Sequence, residues 1–234
     1  MRYPKSGDEG FFRRADQMIG ANSKANPDDF KDSPDLTDSK IAYVIRHSQG
    51  MDVLDLGCVM HDPQSYRSKY WVHKALLGAC KSVVGMDLSK EGADFLRGKG
   101  YQVLHGDAQD FSLGQKFDVI HAGDLLEHLE DFSGFFECCI QHLRRDGRII
   151  VSTPNPWYWR NIIKSILYME VSNNPEHTCW LCPRTLRQLA KRHGFELQEI
   201  EFCSRYWRDK FVPFPRGIRH TSWNAVLRLA VSGL

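Results

Sequence analysis

With 234 residues, 42% of them hydrophobic and 12% aromatic, the chain is long enough to bury the core of one full α/β domain. A formal net charge of +2 excludes a global nucleic-acid signature, and seven cysteines in a chain of this size do not make a secreted disulfide framework. The run Met1-Arg2-Tyr3-Pro4-Lys5-Ser6-Gly7-Asp8 lacks the apolar core of a signal peptide, and no apolar run reaches the roughly eighteen residues of a membrane span. The expectation is therefore a cytoplasmic protein with reduced thiols and no transmembrane segment.

Residues 1–37 are polar, with turn signals at Pro27-Asp28-Asp29 and Ser33-Pro34-Asp35. Phe11, Phe12, Met18 and Ile19 are spaced for a short helix, so residues 1–40 read as either a lid or a loose tail. The domain proper is placed at 41–234. Thr37 or Asp38 is expected to cap a helix running through Ile41, Val44 and Ile45.

From Asp52 onward the pattern alternates strand and helix. Strands are expected at 52–57, 82–87, 101–105, 117–122 and 147–153, and helices at about 63–79, 89–99, 132–144 and 183–194. Ser89 caps the second helix, and Gly98 and Gly100 stop it. Such alternation means a parallel sheet with helices on both faces. Gly194–Phe202 alternates with period two and reads as a sixth strand with one wet face. Ala225–Val231 is the candidate for a seventh, although a short helix fits it too. Between these two, Trp207 to Arg219 is aromatic and basic, interrupted by Pro213 and Pro215, and reads equally as an insertion near a site or a surface loop. From Glu201 onward Arg205, Arg208, Lys210, Arg216, Arg219 and Arg228 outnumber Glu201 and Asp209, most simply a solvated basic face, with an anionic substrate or a membrane headgroup as the alternative.

The chemistry begins at Val53-Leu54-Asp55-Leu56-Gly57-Cys58 and Val83-Val84-Gly85-Met86-Asp87. Each is a near-continuous apolar run ending in an acid or a glycine, the pattern of a buried parallel strand emerging at its carboxyl end. Open α/β sheets bind ligands just beyond those ends, where strand order reverses. A carboxylate after the second strand can accept hydrogen bonds from both hydroxyls of a ribose. A dinucleotide further requires Gly-x-Gly-x-x-Gly so that its pyrophosphate can lie on bare backbone. The loop Gly57-Cys58-Val59-Met60-His61-Asp62 keeps only the first glycine, with side chains at Val59 and His61 and a repelling Asp62. That disfavours a nicotinamide dehydrogenase and favours a nucleoside cofactor without phosphates, such as S-adenosylmethionine.

Three further segments continue the series: Val103-Leu104-His105-Gly106-Asp107-Ala108, then Phe117–Asp124 running into Leu125-Leu126-Glu127-His128-Leu129, then Leu143–Asn155 with its Asp146-Gly147 turn. The set, in this order and spacing over about residues 50–204, resembles class I S-adenosylmethionine-dependent methyltransferases, the ubiquinone-biosynthesis O-methyltransferases among them. It departs from that family in having one glycine in the first loop where two or three are usual.

The resemblance implies a Rossmann-like doubly wound, mostly parallel seven-stranded sheet and S-adenosylmethionine as cofactor. Asp87 would hold the ribose diol. Asp107 and the Ala108 backbone N–H would meet the adenine, sandwiched by Met86, Leu88 and Ala108. Asp55 would position the loop and receive the methionine ammonium, directly or through water, with Gly57 and Cys58 in the loop beside it, and Ala122 and Gly123 would border the sulfonium. His128 and His177 are the candidate bases, since methyl transfer needs an aligned acceptor stripped of its proton.

Asp124, Glu127 and His128 are spaced i, i+3, i+4, one face of a helix. With His177 they form a candidate divalent-metal set, similar to those of ubiquinone-pathway O-methyltransferases and small-RNA 2′-O-methyltransferases, with Asp124 where Glu is usual. An insertion at about 154–182, carrying Trp157, Tyr158, Trp159, Ile162, Ile163, Ile166 and Leu167, would suit an aromatic or lipid-linked small-molecule acceptor, or else simply pack as helix core. Cys179-Trp180-Leu181-Cys182 reads as packing before the helix at 183. The leading expectation is a small-molecule O-methyltransferase with no nucleic-acid partner. An RNA methyltransferase and a non-catalytic protein with a degenerate cofactor loop stand as alternatives.

Overall fold

The computed structural model describes residues 39–60, 63–169, 174–204 and 214–230. The expected lid or tail, the Thr37/Asp38 cap, His61 and Asp62 of the first loop, and much of the Trp207–Arg219 stretch lie outside them.

In chain order the elements are α1 (Ser39–Ser48), β1 (Asp52–Leu56), α2 (Val72–Ala79), β2 (Ser82–Asp87), α3 (Lys90–Gly98), β3 (Val103–His105), β4 (Phe117–Gly123), α4 (Phe132–His142), β5 (Leu143–Pro154), α5 (Trp159–Tyr168), α6 (Pro183–Arg192), β6 (Phe195–Cys203), α7 (Arg216–Arg219) and β7 (Ser222–Leu229). The strands form one sheet in the order β3-β2-β1-β4-β5-β7-β6. The first five are parallel, while β7 runs antiparallel to both β5 and β6. Strand order reverses beside β1, which pairs with β2 on one side and β4 on the other. A crevice at the carboxyl ends follows from that reversal.

Strand periodicity sends alternate residues to opposite faces. Leu54, Leu56, Val84, Ile120, Ile149 and Leu227 pack with Phe135, Phe136 and Cys139 of α4 and with Leu186 and Ala190 of α6. Val53, Val83, Val119, Ile150 and Val226 pack with Tyr43 and Val44 of α1 and Leu76 of α2. Ala93 and Leu96 of α3 close over Val103. The doubly wound architecture read from the sequence is thus the one observed.

Four local differences have identifiable causes. The helix expected at 63–79 is a 3₁₀ turn (Pro63–Arg67) followed by α2. The Ser68 hydroxyl accepts from Tyr70 N–H, a local bond that competes with the helix, and Trp71 Nε1 is drawn to the Cys58 carbonyl at 2.8 Å. The third strand, expected from residue 101, starts at Val103, because Tyr101 N–H bonds back to the Leu96 carbonyl. The strand expected at 147–153 begins at Leu143, directly after α4, because Leu143 pairs with Phe117 ahead of a register shift and Arg144 is anchored to Asp52 and Asp118 at 2.8 and 2.7 Å. The seventh strand is longer at its start than Ala225. Residues 223–227 are buried without a break, because β7 is interior to the sheet, and so they show no alternation.

All seven cysteines are free thiols, and no helix among the described residues is long and apolar enough to cross a membrane. Cys182 is the N-cap of α6: its backbone N–H donates to Thr185 Oγ1, and Pro183 begins the helix.

Candidate functional site

Above the carboxyl ends of β1, β2 and β4 lies a cavity of about 960 Å³. One half is walled by Met86, Asp87, Leu88, Gly106, Asp107 and Ala108, and the other by Gly123, Asp124, Glu127, His128 and His177.

In the first half, β1 is followed by Gly57, whose φ of +72° lets the chain turn sharply and whose N–H donates to the Met86 carbonyl at 2.8 Å. The Cys58 side chain is buried in the cluster under α3 and does not line this cavity. Val59 N–H donates to Asp87 Oδ2 at 2.8 Å and Ser89 N–H to Asp87 Oδ1 at 2.9 Å. Burial raises the Asp87 carboxyl, against those two backbone bonds, which lower it. The Val59 side chain packs toward α3, where a Cβ at Gly92 would lie 2.5 Å from Val59 Cγ1. Asp107 is fixed by Gln109, whose N–H and Nε2 donate to its Oδ1 at 2.9 and 3.1 Å. Gln109 Oε1 in turn accepts from Glu130 and Asp131 N–H. Leu88 stands exposed at the rim. Ala122 is fully buried in the core, so Gly123 alone of that pair faces the cavity.

In the second half, the expected helical face of Asp124, Glu127 and His128 is not formed. Only a 3₁₀ turn spans Leu126–His128, and Asp124 sits before it at φ +48°. Its half-exposed carboxylate pairs with Lys40 of α1, whose ammonium holds it below the usual range. Glu127 is buried and accepts from Thr153 Oγ1 at 3.0 Å through Oε2, while Oε1 has no partner among the described residues. Burial first, and the Asp124 charge second, push its carboxyl up to about 8. The Glu127 carbonyl accepts from Thr178 N–H and Oγ1, which brings the segment holding His177 onto the turn. The His128 and His177 rings meet edge to face at 4.8 Å. Donor atoms of Glu127, His128 and His177 all lie within 4.8 Å of one another. The structure therefore unites three of the four expected ligands and turns Asp124 toward Lys40.

A smaller chamber of about 280 Å³ adjoins the first, sharing Gly57, Met60, Gly123, Asp124 and Pro154 with it. Its other walls include Lys40, Trp71, His73, His121 and Ser222. At its base Asp55, 2% exposed, bonds His73 Nδ1 through Oδ2 at 2.8 Å and His121 Nδ1 through Oδ1 at 2.6 Å. Although burial raises it, hydrogen bonds from His121 and His73 hold this carboxyl at about 2. His73, His121, Lys40 and Gln109 were not anticipated. One signal existed for His121, a polar residue within an apolar strand; helix α2 offers none for His73.

A family model described as a methyltransferase domain matches residues 35–200. A probable S-adenosylmethionine-dependent methyltransferase of Mycolicibacterium smegmatis is 27% identical over 153 residues, 64% of this chain and 54% of that protein. A ubiquinone biosynthesis O-methyltransferase of Aromatoleum aromaticum is 21% identical over 187 residues, 74% of this chain and 76% of the relative. The chain spans about half the length of the mycobacterial protein. Among solved structures, a SAM-dependent methyltransferase from Archaeoglobus fulgidus superposes with a TM-score of 0.60 at 18% identity, covering 85% of this chain and 95% of that one, a likeness of fold.

Proposed function

The chain belongs to the methyltransferase-domain family, whose cofactor is S-adenosylmethionine, and on that premise we propose that it methylates a hydroxyl of a small, aromatic or lipid-linked acceptor. The observation that carries this reading is one continuous cavity with Asp87 and Asp107 at one end and His128 and His177 at the other. The similarity to a ubiquinone biosynthesis O-methyltransferase supports oxygen as the methylated atom.

The residues present fit the cofactor. Asp87 keeps a free lone pair on each oxygen for the ribose hydroxyls, since each already accepts one backbone N–H. Asp107, held by Gln109, would accept from the adenine amino group, with Ala108 N–H beside it. Met86 and Leu88 supply apolar walls. When bound, the cofactor supplies an electrophilic methyl on a sulfonium, with a neutral thioether as leaving group.

The chain's own task is to align the acceptor and take its proton. Glu127, with one buried oxygen unpartnered among the described residues and a donor atom within 4.8 Å of those of His128 and His177, also fits a divalent cation. Glu127, His128 and His177 would hold it, and its chemistry would be to lower the pKa of a coordinated hydroxyl.

The test is incubation with S-adenosylmethionine and a panel of phenols, catechols, prenylated phenols and amines, with products identified by mass spectrometry, with and without EDTA. An O-methyl ether is expected, and His128→Asn should slow its formation by about 10²- to 10⁴-fold. Methylation of amine acceptors alone would overturn the reading.

A further inference from the structure

The chamber beneath Gly123 contains polar chemistry that the transfer reaction, as described, does not use. Asp55, the acid expected to meet the methionine ammonium, has both carboxylate oxygens committed to imidazole nitrogens and is only 2% exposed. An ionised carboxylate is acceptor-only, so both histidines donate from Nδ1. In its neutral form, with that proton committed, a His121 ring presents a lone pair at Nε2. That atom is buried and has no hydrogen-bond partner among the described residues. A buried polar atom left in this state is a cost that a ligand donor would remove.

The position of Nε2 shows where such a donor would come from. A Cβ at residue 123 would lie 2.9 Å from His121 Nε2 and 2.6 Å from Cε1. The absence of a side chain at Gly123 is thus what leaves the space beside the ring edge unfilled by residue 123, and Gly123 lines both the small chamber and the large cavity. The surrounding charges are Asp55 below and the Lys40–Asp124 pair across the chamber. A lone pair over a buried carboxylate repels an anionic group and suits a cationic N–H donor, while Lys40 offers the opposite sign a short way off.

We propose that His121, oriented by Asp55, holds the α-ammonium of the methionine end of the cofactor. This rests on the cofactor placement above. His121 is the contacting residue; Asp55 and His73 are positioning residues that fix its tautomer and ring angle. The aspartate that sequence order puts at the end of β1 thereby acts at one remove, through an imidazole on the neighbouring strand.

The test compares two ligands by calorimetry: S-adenosylhomocysteine, which carries the amino-acid end, and 5′-methylthioadenosine, which lacks it. His121→Leu is expected to weaken S-adenosylhomocysteine by about tenfold to a hundredfold, the loss of one charge-assisted hydrogen bond, and to leave 5′-methylthioadenosine unchanged within about twofold. His121→Asn keeps an N–H donor for Asp55 while removing Nε2 and should reproduce that selective loss, which covers the case of a His121→Leu variant that does not fold. Equal weakening of both ligands would mean a structural role, and no change in either would remove His121 from the site; each overturns the proposal while leaving the cofactor reading intact. A wild-type protein that binds neither ligand overturns both.

Discussion

Asp55 holds two imidazoles at once, and the energetics of the site centre on that arrangement. A carboxylate buried to this degree survives as an anion only because both oxygens accept from the rings. Asp55→Asn offers one acceptor and one donor in its place, so one Nδ1–H faces an amide N–H. A loss of about 3 kcal/mol is expected at pH 7 by urea unfolding, typical of breaking a buried pair. The pH dependence has a defined sign. The folded-state carboxyl sits at about 2, below its usual 3.8. Its stabilising contribution is therefore present above pH 3.8 and is lost as pH falls toward 2. The penalty of the variant should shrink over that window; a penalty constant with pH would mean that packing, and not charge, sets it. In the sequence, Asp55 is legible as an acid at a strand end. That His121 stands opposite it is legible only from the register, in which Asp55 pairs with His121 across β1 and β4.

At the scale of elements, α5 and α6 make opposite use of similar lengths of chain. No residue of α5 is buried, and Ile163, Ile166 and Leu167 stand exposed, so the apolar run at 159–168 does not pack as core. Helix α6 carries more charge, yet Leu186 and Ala190 are fully buried against the sheet. Leu186→Ala is accordingly expected to cost about 2–5 kcal/mol through the cavity it leaves, whereas Ile166→Ser should stay within about 0.5 kcal/mol, as surface changes do. Denaturation midpoints of the two variants check this directly. Apolar spacing could not separate these helices, because spacing reports an amphipathic face and says nothing of what covers it. The same holds for β7: a strand covered on both faces has no period of two, so its extent became clear only once β5 and β6 were seen on either side.

For the whole molecule, cofactor binding and folding are linked. At a cofactor concentration about 100 times Kd, selective binding to the native state adds about 2.7 kcal/mol, or about 5–10 °C in Tm for a chain of this size. Asp87→Ala is expected to abolish most of that shift in a thermal melt; an undiminished shift would place the ribose elsewhere. The sequence alone determined the doubly wound sheet, the positions of its first five strands along the chain and the placement of Asp87, Asp107 and Gly123 at strand ends, because buried parallel strands are written as contiguous apolar runs and their ends as acids and glycines. It did not determine which side chains meet. The Asp55–His121–His73 triad, the Lys40–Asp124 pair and the gathering of His177 onto Glu127 and His128 each join residues on separate elements. Their proximity is set by strand register, by helix packing and by the Thr178 bonds to the Glu127 carbonyl, and those exist only in the folded chain.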